Sequence, residues 1–244
     1  MTPNDRPNGQ ADRQAAELES IRSFYDSVYY SEASLVDSSS PHYEQLATRI
    51  GVAPGERVLD VACGLGQWLS TCSKRGAIPS GVDLSERAIE MCRRSLPGGT
   101  FFAQPAETLP FDSASFDVVT CLGSLEHFVD PVAALKEMVR VAKPGARFVI
   151  LVPNAGFLTR RLGLYGGTYQ TAAKEVVRSL SEWADLFKHS GLKVTDRWRD
   201  LHVLSWAWIG ANGLIHAPLR AAQAAALAVW PLEWQYQVYH LCEA

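Results

Sequence analysis

Apolar positions recur along this chain with two different periods, and the alternation between them outlines its elements. Residues 14–30 carry Leu18, Ile21, Phe24, Tyr25 and Val28 at helical spacing, which predicts a helix with one apolar face. A Ser-rich stretch over 31–41 reads as loop. Residues 43–50 read as a second short helix, ended by Gly51 and Pro54. From residue 57 onward, short apolar runs alternate with amphipathic segments. Strands are predicted at 57–61, 78–83, 100–103, 116–121, 146–152 and 192–199, and helices at 67–75, 85–95, 131–141 and 179–190. The runs at 57–61 and 147–152 are nearly continuous, as strands covered on both faces require.

The punctuation agrees with the periods. Asp130-Pro131 is a helix N-cap followed by proline at the first helical position. Ser85 is a second N-cap, with Ala88 where a capping box would want an acid. Pro144-Gly145 reads as the turn into the strand at 146–152. Residues 1–13 are polar and are expected to be mobile. The alternating stretch 234–241 reads as a last strand.

Residues 201–232 break the pattern, because Arg220 is their only Lys, Arg, Asp or Glu. The uncharged part, 201–219, has the length of a membrane span. However, His202, Ser205, Asn212, Gly213, His216 and Pro218 interrupt it. No span is expected; the reading is a helical cap on the substrate side, and peripheral membrane contact through 201–232 remains open. Trp206, Trp208 and Trp230 read chiefly as packing residues.

Composition narrows the classes. A chain of 244 residues fits one domain. A net charge of −3 carries no basic footprint for nucleic acid. The five cysteines, Cys63, Cys72, Cys92, Cys121 and Cys242, lack C-x-x-C spacing. They argue against a zinc site and for buried free thiols in a reducing compartment. With no apolar leader, the cytoplasm is the default. A metal site is not expected.

The chemistry concentrates at Val58-Leu59-Asp60-Val61-Ala62-Cys63-Gly64-Leu65-Gly66-Gln67. A buried strand ends there in a small-residue turn that opens a helix, and Gly64 and Gly66 let a ligand lie against bare backbone. Asp83 closes the next apolar run. Strand, glycine turn, helix, strand and acid form the layout of an adenosine-binding unit. Leu69 stands where a dinucleotide fingerprint needs its third glycine. The turn has no basic residue for a phosphate, and Asp60 precedes it. A phosphate-free ligand with an amino group and a positive centre suits that turn, and S-adenosylmethionine is such a ligand.

Further segments follow in order: Gly81-Val82-Asp83-Leu84-Ser85, Ala106-Glu107-Thr108-Leu109-Pro110-Phe111 with Ser115-Phe116-Asp117-Val118-Val119, Leu125-Glu126-His127-Phe128, and Val141-Ala142-Lys143-Pro144-Gly145-Ala146. Over roughly residues 56–153 the chain resembles the class I S-adenosylmethionine-dependent methyltransferases of the small-molecule type. The resemblance implies an α/β fold: a doubly wound, mostly parallel seven-stranded sheet in the order 3-2-1-4-5-7-6. N-terminal helices over 14–50 and a helical insertion over 201–232, before the last strand, would complete a single domain. One departure stands out: Pro105 occupies the position of the acid that in many relatives accepts from the adenine amino group.

On this reading Asp60 holds the amino end of the cofactor, or ties the turn together. Ala62, Gly64 and Gly66 form the cradle. Asp83 accepts the ribose hydroxyls, Leu84 packs on the adenine, and Ala106 and Glu107 meet its edge. Leu122 and Gly123 sit by the sulfonium. His127 is the candidate general base, or else a structural residue of its loop. His202 and His216 are lesser candidates, while His42, His189 and His240 read as surface or packing residues. Tyr25, Tyr29 and Tyr30 are candidates to close over the cofactor. The expected activity is methyl transfer to a small apolar or aromatic acceptor, with oxygen favoured over nitrogen or carbon, by a monomer or homodimer releasing S-adenosylhomocysteine. The other readings are a nicotinamide oxidoreductase and a non-catalytic binding protein of the same fold.

Overall fold

Phe148, Ile150 and Val152 point to one side of their strand, Val149 and Leu151 to the other, and all five are buried. That double burial is why this segment is continuously apolar: it runs through the middle of a sheet with a hydrophobic layer on each face. The computed structural model describes residues 9–30, 41–163, 175–200 and 217–244.

Its strands are β1 (Arg57–Val61), β2 (Ile78–Asp83), β3 (Thr100–Ala103), β4 (Phe116–Leu122), β5 (Ala142–Pro153), β6 (Lys193–Arg199) and β7 (Gln237–Glu243). They form one seven-stranded sheet in the order β3-β2-β1-β4-β5-β7-β6. The pairs among β1 to β5 are parallel, whereas β7 runs antiparallel to both β5 and β6. The fold is thus the doubly wound α/β architecture expected.

The helices are α1 (Gly9–Phe24), α2 (Pro41–Ile50), α3 (Gln67–Lys74), α4 (Glu86–Ser95), α5 (Pro131–Val141), α6 (Leu158–Arg161), α7 (Leu180–His189) and α8 (Ala217–Val229). Leu46, Trp68, Leu69 and Ile89 of α2, α3 and α4 bury against one face of the sheet. Leu135, Met138, Trp183 and Phe187 of α5 and α7 bury against the other. Each such side chain removed from water contributes roughly 1.5–3 kcal/mol. The capping residues do what their chemistry suggests. Ser85 Oγ accepts from Ala88 N, and Asp130 Oδ1 accepts from Ala133 N with Pro131 opening α5. Ser179 and Glu182 add a reciprocal capping box to α7. All five cysteines are buried free thiols.

The differences from the sequence reading are local. Helix α1 starts at Gly9, before the residue 14 expected, and it passes into a π-type turn over Tyr25–Tyr29. Helix α2 begins at Pro41, whose missing N–H is no loss in a first turn. Strand β5 already pairs at Ala142, opposite Phe116, and resumes at Arg147 opposite Val118 after a register shift, with Gly145 at φ +77° between them. The turn expected at Pro144-Gly145 is therefore an irregularity inside the strand. The last strand starts at Gln237 rather than 234, because a tight turn over Leu232–Trp234 precedes it. Asn154 Nδ2 donates to Glu233 O and Gln235 O and holds that turn off the ladder. Of the expected insertion, 201–216 lies outside the described residues, and with it His202, Trp206, Trp208 and His216; 217–229 is helix α8. No described helix is long and apolar enough to cross a membrane.

Candidate active site

At the carboxyl end of β1 the chain turns sharply. Ala62 (φ +62°), Gly64 (φ +50°) and Gly66 (φ +75°) all take left-handed backbone. For a residue with a Cβ this costs roughly 1–2 kcal/mol, so Ala62 is a strained position, as is common beside a ligand site. The glycines also answer to space. A Cβ on Gly66 would lie 2.9 Å from Cys92 Sγ, and one on Gly64 would lie 3.0 Å from the Tyr30 hydroxyl. Gly66 is the N-cap of α3.

The neighbouring strand completes the turn. Asp83 Oδ2 accepts from Gly64 N at 2.8 Å, and Oδ1 accepts from Ser85 N at 2.9 Å. Each carboxylate oxygen keeps a second lone pair. Burial holds the Asp83 carboxyl above its ordinary value, against the two backbone N–H bonds that favour the anion. Asp83 lines a hollow together with Ala62, Leu84, Ala106, Glu107 and His127. Leu18, Ile21, Tyr25 and Tyr30 form its outer wall. That wall is latched at three points. Arg22 Nε donates to Leu84 O at 3.2 Å, and Asp26 Oδ1 accepts from Ser85 Oγ and from Arg87 N. Of the three tyrosines expected to close over the site, Tyr25 and Tyr30 line this hollow. Burial first, and then Asp83, raise the Tyr30 hydroxyl far above its ordinary range.

A second hollow adjoins the first through Ala62, Tyr30 and Ser124. Asp60, Tyr43, Gln67, Trp68, Leu122 and Gly123 line it, and Tyr29 reaches its wall. Asp60 is 3% exposed and accepts from the Thr120 hydroxyl at 2.5 Å. Burial pushes its carboxyl up to about 8; the Thr120 bond opposes the shift and Asp83 adds to it. The buried indole N–H of Trp68 has no acceptor among the described residues. A third hollow shares Tyr43, Gln67, Leu122 and Gly123 with the second and extends to His42, Leu151, Asp200, Gln237 and Tyr239.

The sequence-read residues therefore separate along one crevice beyond the strand ends. Asp83, Leu84, Ala106 and Glu107 share the first hollow; Asp60, Gly64, Leu122 and Gly123 share the second; Ala62 belongs to both. Gly66 stands behind the turn against Cys92. Glu107 Oε1 accepts from Asp130 N at 3.1 Å, so this side chain also ties two loops together. His127 lines the first hollow, not the third. The tight turn over Leu125–His127, closed by His127 N to Ser124 O, folds the loop back over that side. Its neighbour Glu126 is buried with Oε2 unpartnered among the described residues, and burial raises its carboxyl to about 8. His240 is a packing residue as expected: burial lowers it to about 4, and Nδ1 lies 3.1 Å from Val238 O. His42, 24% exposed, lines the third hollow and lies 2.7 Å from the Tyr239 hydroxyl.

The donor set tests what the crevice can hold. Among the described residues no Lys or Arg lines the first two hollows, while two buried carboxylates do. A pyrophosphate would find no cationic side chain there among the described residues. A nucleoside with an ammonium group and a cationic centre meets acceptors, and its diol meets the spare lone pairs of Asp83. Among the described residues, no group of three or more His, Cys, Asp or Glu could hold a metal ion.

Comparison with known proteins gives the same class. Residues 59–150 match the family described as a methyltransferase domain. A demethylmenaquinone methyltransferase of Clavibacter sepedonicus is 32% identical over 83% of this chain and 84% of its own length. A ubiquinone biosynthesis O-methyltransferase of Hahella chejuensis is 32% identical over 66% of this chain and 69% of its own. An S-adenosylmethionine dependent methyltransferase from Mesorhizobium loti has the same fold, with a TM-score of 0.61 at 18% identity over 83% of this chain and 98% of that one. The chain belongs to the class I S-adenosylmethionine-dependent methyltransferases, and S-adenosylmethionine is its cofactor.

Proposed function

We propose that this enzyme methylates a hydroxyl group on a small aromatic acceptor bound in the third hollow. The observation that carries the reading is that Leu122 and Gly123 line both the second and the third hollows. Gly123 is left-handed, at φ +74°, and presents no side chain where the two meet. The walls beyond it combine Tyr43, Leu151 and Tyr239 with a few polar groups. That mixture suits a flat apolar ring carrying a hydroxyl. The relatives named for demethylmenaquinone and for ubiquinone biosynthesis support an acceptor of the quinone type.

In this reading Asp83 holds the ribose diol with its spare lone pairs, and Asp60 faces the amino end. Leu84, Ala106 and Glu107 border the adenine, and His127 lies beside them rather than beside the acceptor. The bound cofactor supplies a methyl carbon on a sulfonium, an electrophile that needs no further activation. The protein's remaining task is to hold the acceptor oxygen roughly 3–3.5 Å from that carbon, in line and dry. The outer wall of α1 and the turn after it serves to keep water out of the first hollow.

The test is a methyl-transfer assay with S-adenosylmethionine and a set of alkylated catechols and hydroquinones. Product mass and carbon NMR then identify the methylated atom. O-methyl products formed together with S-adenosylhomocysteine are the expected result. Methylation at carbon or nitrogen alone, or tight cofactor binding with no turnover of any of these acceptors, overturns the reading.

A further inference from the structure

We infer that His42, positioned by Asp200 and Tyr239, is the general base that takes the proton from the acceptor hydroxyl. The inference rests on the hydroxyl-methylating reading above. Three distant segments bring these side chains together: the first turn of α2, the residue after β6, and the middle of β7. His42 Nε2 lies 2.7 Å from the Tyr239 hydroxyl and 3.5 Å from Asp200 Oδ1. The Asp200 side chain is 4% exposed and Tyr239 is 1% exposed, whereas His42 is 24% exposed. An accessible imidazole is thus seated on a buried acid and a buried phenol, inside the hollow that continues from Leu122 and Gly123.

A histidine needed only for packing looks different in this protein. His240 is enclosed, lies against a carbonyl of its own strand, and meets the ring edge of Phe187. His42 instead opens onto a cavity. Among the described residues the titratable groups around it include Asp200, Tyr239 and Tyr43, the last with its ring 5.5 Å away. No Lys or Arg lines this hollow among the described residues. Asp200 Oδ1, 3.5 Å from Nε2, places an acid beside the ring that receives the proton. Burial keeps the Tyr239 phenol protonated, so it serves as a neutral hydrogen-bonding brace.

The step balances. The acceptor oxygen forms the O–C bond with a lone pair, and the C–S bond breaks with its pair going to sulfur. The O–H proton passes to an imidazole nitrogen of His42, and from its exposed edge to solvent. Asp200 and Tyr239 are positioning residues that orient the ring and stabilise its charged form.

The experiment compares the wild type, His42→Ala, His42→Gln and Asp200→Asn on catechol and on the more acidic 4-nitrocatechol. Turnover is measured in each case. The absorbance of 4-nitrocatechol bound with S-adenosylhomocysteine reads its ionisation directly. We expect the His42 variants to bind S-adenosylhomocysteine like the wild type. Their kcat on catechol should fall on the order of a hundredfold, the usual contribution of a positioned base. On 4-nitrocatechol already ionised in solution the fall should be only a few-fold. Bound 4-nitrocatechol should ionise at a higher pH in both His42 variants than in the wild type, with Asp200→Asn in between. Equal losses on both acceptors, or an unmoved ionisation of the bound chromophore, would show a structural role and overturn the inference. If the wild type binds the cofactor but methylates neither acceptor, the hydroxyl reading itself falls and the inference falls with it.

Discussion

Asp83 Oδ2 accepts a hydrogen bond of 2.8 Å from the backbone N–H of Gly64, so the acid that ends β2 holds the turn that ends β1. The residue proposed to hold the ribose also shapes the cradle beneath it. Asp83→Ala removes an acceptor from two backbone N–H groups, those of Gly64 and Ser85. A hydrogen bond to a charged group contributes about 1.5–3 kcal/mol. Calorimetry should therefore show S-adenosylhomocysteine binding weakened by roughly 10- to 100-fold, with native circular dichroism and a lowered melting temperature. A 2′-deoxy analogue separates the two roles. Wild type and variant should differ less on the analogue than on the parent ligand, and an equal loss on both would remove Asp83 from the ribose.

Gly66 and Cys92 make a second testable contact. At φ +75°, with the Cys92 sulfur 2.9 Å from where a Cβ would stand, Gly66→Ala meets both a backbone and a steric cost. The backbone part alone is roughly 1–2 kcal/mol. Adding Cys92→Ala relieves the clash but leaves the dihedral as it is, so the double variant should be more stable than the sum of the single changes predicts. Urea midpoints for the four proteins decide it. A neutral Gly66→Ala, or strictly additive effects, would show that the turn relaxes freely.

How far the sequence reached follows from distance along the chain. The strand, the turn and the acid at 57–83 were legible because hydrophobic runs and glycines are local signals. The Ser85 and Asp130 caps were legible for the same reason. The order of the last strands came from resemblance rather than periodicity, and the start of β7 was misplaced because Asn154, some eighty residues away, holds 232–235 off the ladder. The latch of Asp26 on Ser85 spans 59 positions and the contact of His42 with Tyr239 spans 197. Neither leaves a motif. His42 reads as a surface or packing residue because nothing beside it in sequence hints at Asp200. His127 drew the base assignment from its place in a family-like segment, and it lines the first hollow.

The Asp26 latch predicts a kinetic effect. Asp26→Ala removes the acceptor for Ser85 Oγ and Arg87 N, leaving the outer wall of the first hollow with the Arg22–Leu84 bond. Losing about 1.4 kcal/mol of closure, a typical value for such a bond, corresponds to about tenfold. Stopped-flow displacement should show S-adenosylhomocysteine leaving about tenfold faster. Glu90→Ala, which breaks only an exposed ion pair with Arg94 on the same helix, serves as the control and should leave the rate unchanged. Equal rates for Asp26→Ala and wild type would mean that the wall does not gate release.

Asp60 makes cofactor binding depend on pH. Its carboxyl is raised by burial from 3.8 to about 8, so the ligand-free protein at neutral pH holds it mostly protonated. An ammonium placed beside it favours the carboxylate, and binding should then release a proton. The sign for stability follows from the same shift. An acid whose folded value lies above its unfolded value stabilises the fold fully below the unfolded value, and loses that contribution as pH rises through about 8. Glu126, also raised to about 8, acts in the same direction. His240, lowered from 6.5 to about 4, acts oppositely but finishes titrating near 6.5. Between about pH 6.5 and 8 the carboxyls dominate. The melting temperature of the ligand-free protein should fall across that window, while the increase given by S-adenosylhomocysteine should grow. Calorimetry in buffers of different ionisation enthalpy should register the released proton, and Asp60→Asn should abolish it. Heats independent of buffer would show that Asp60 ties the turn together and does not meet the amino group.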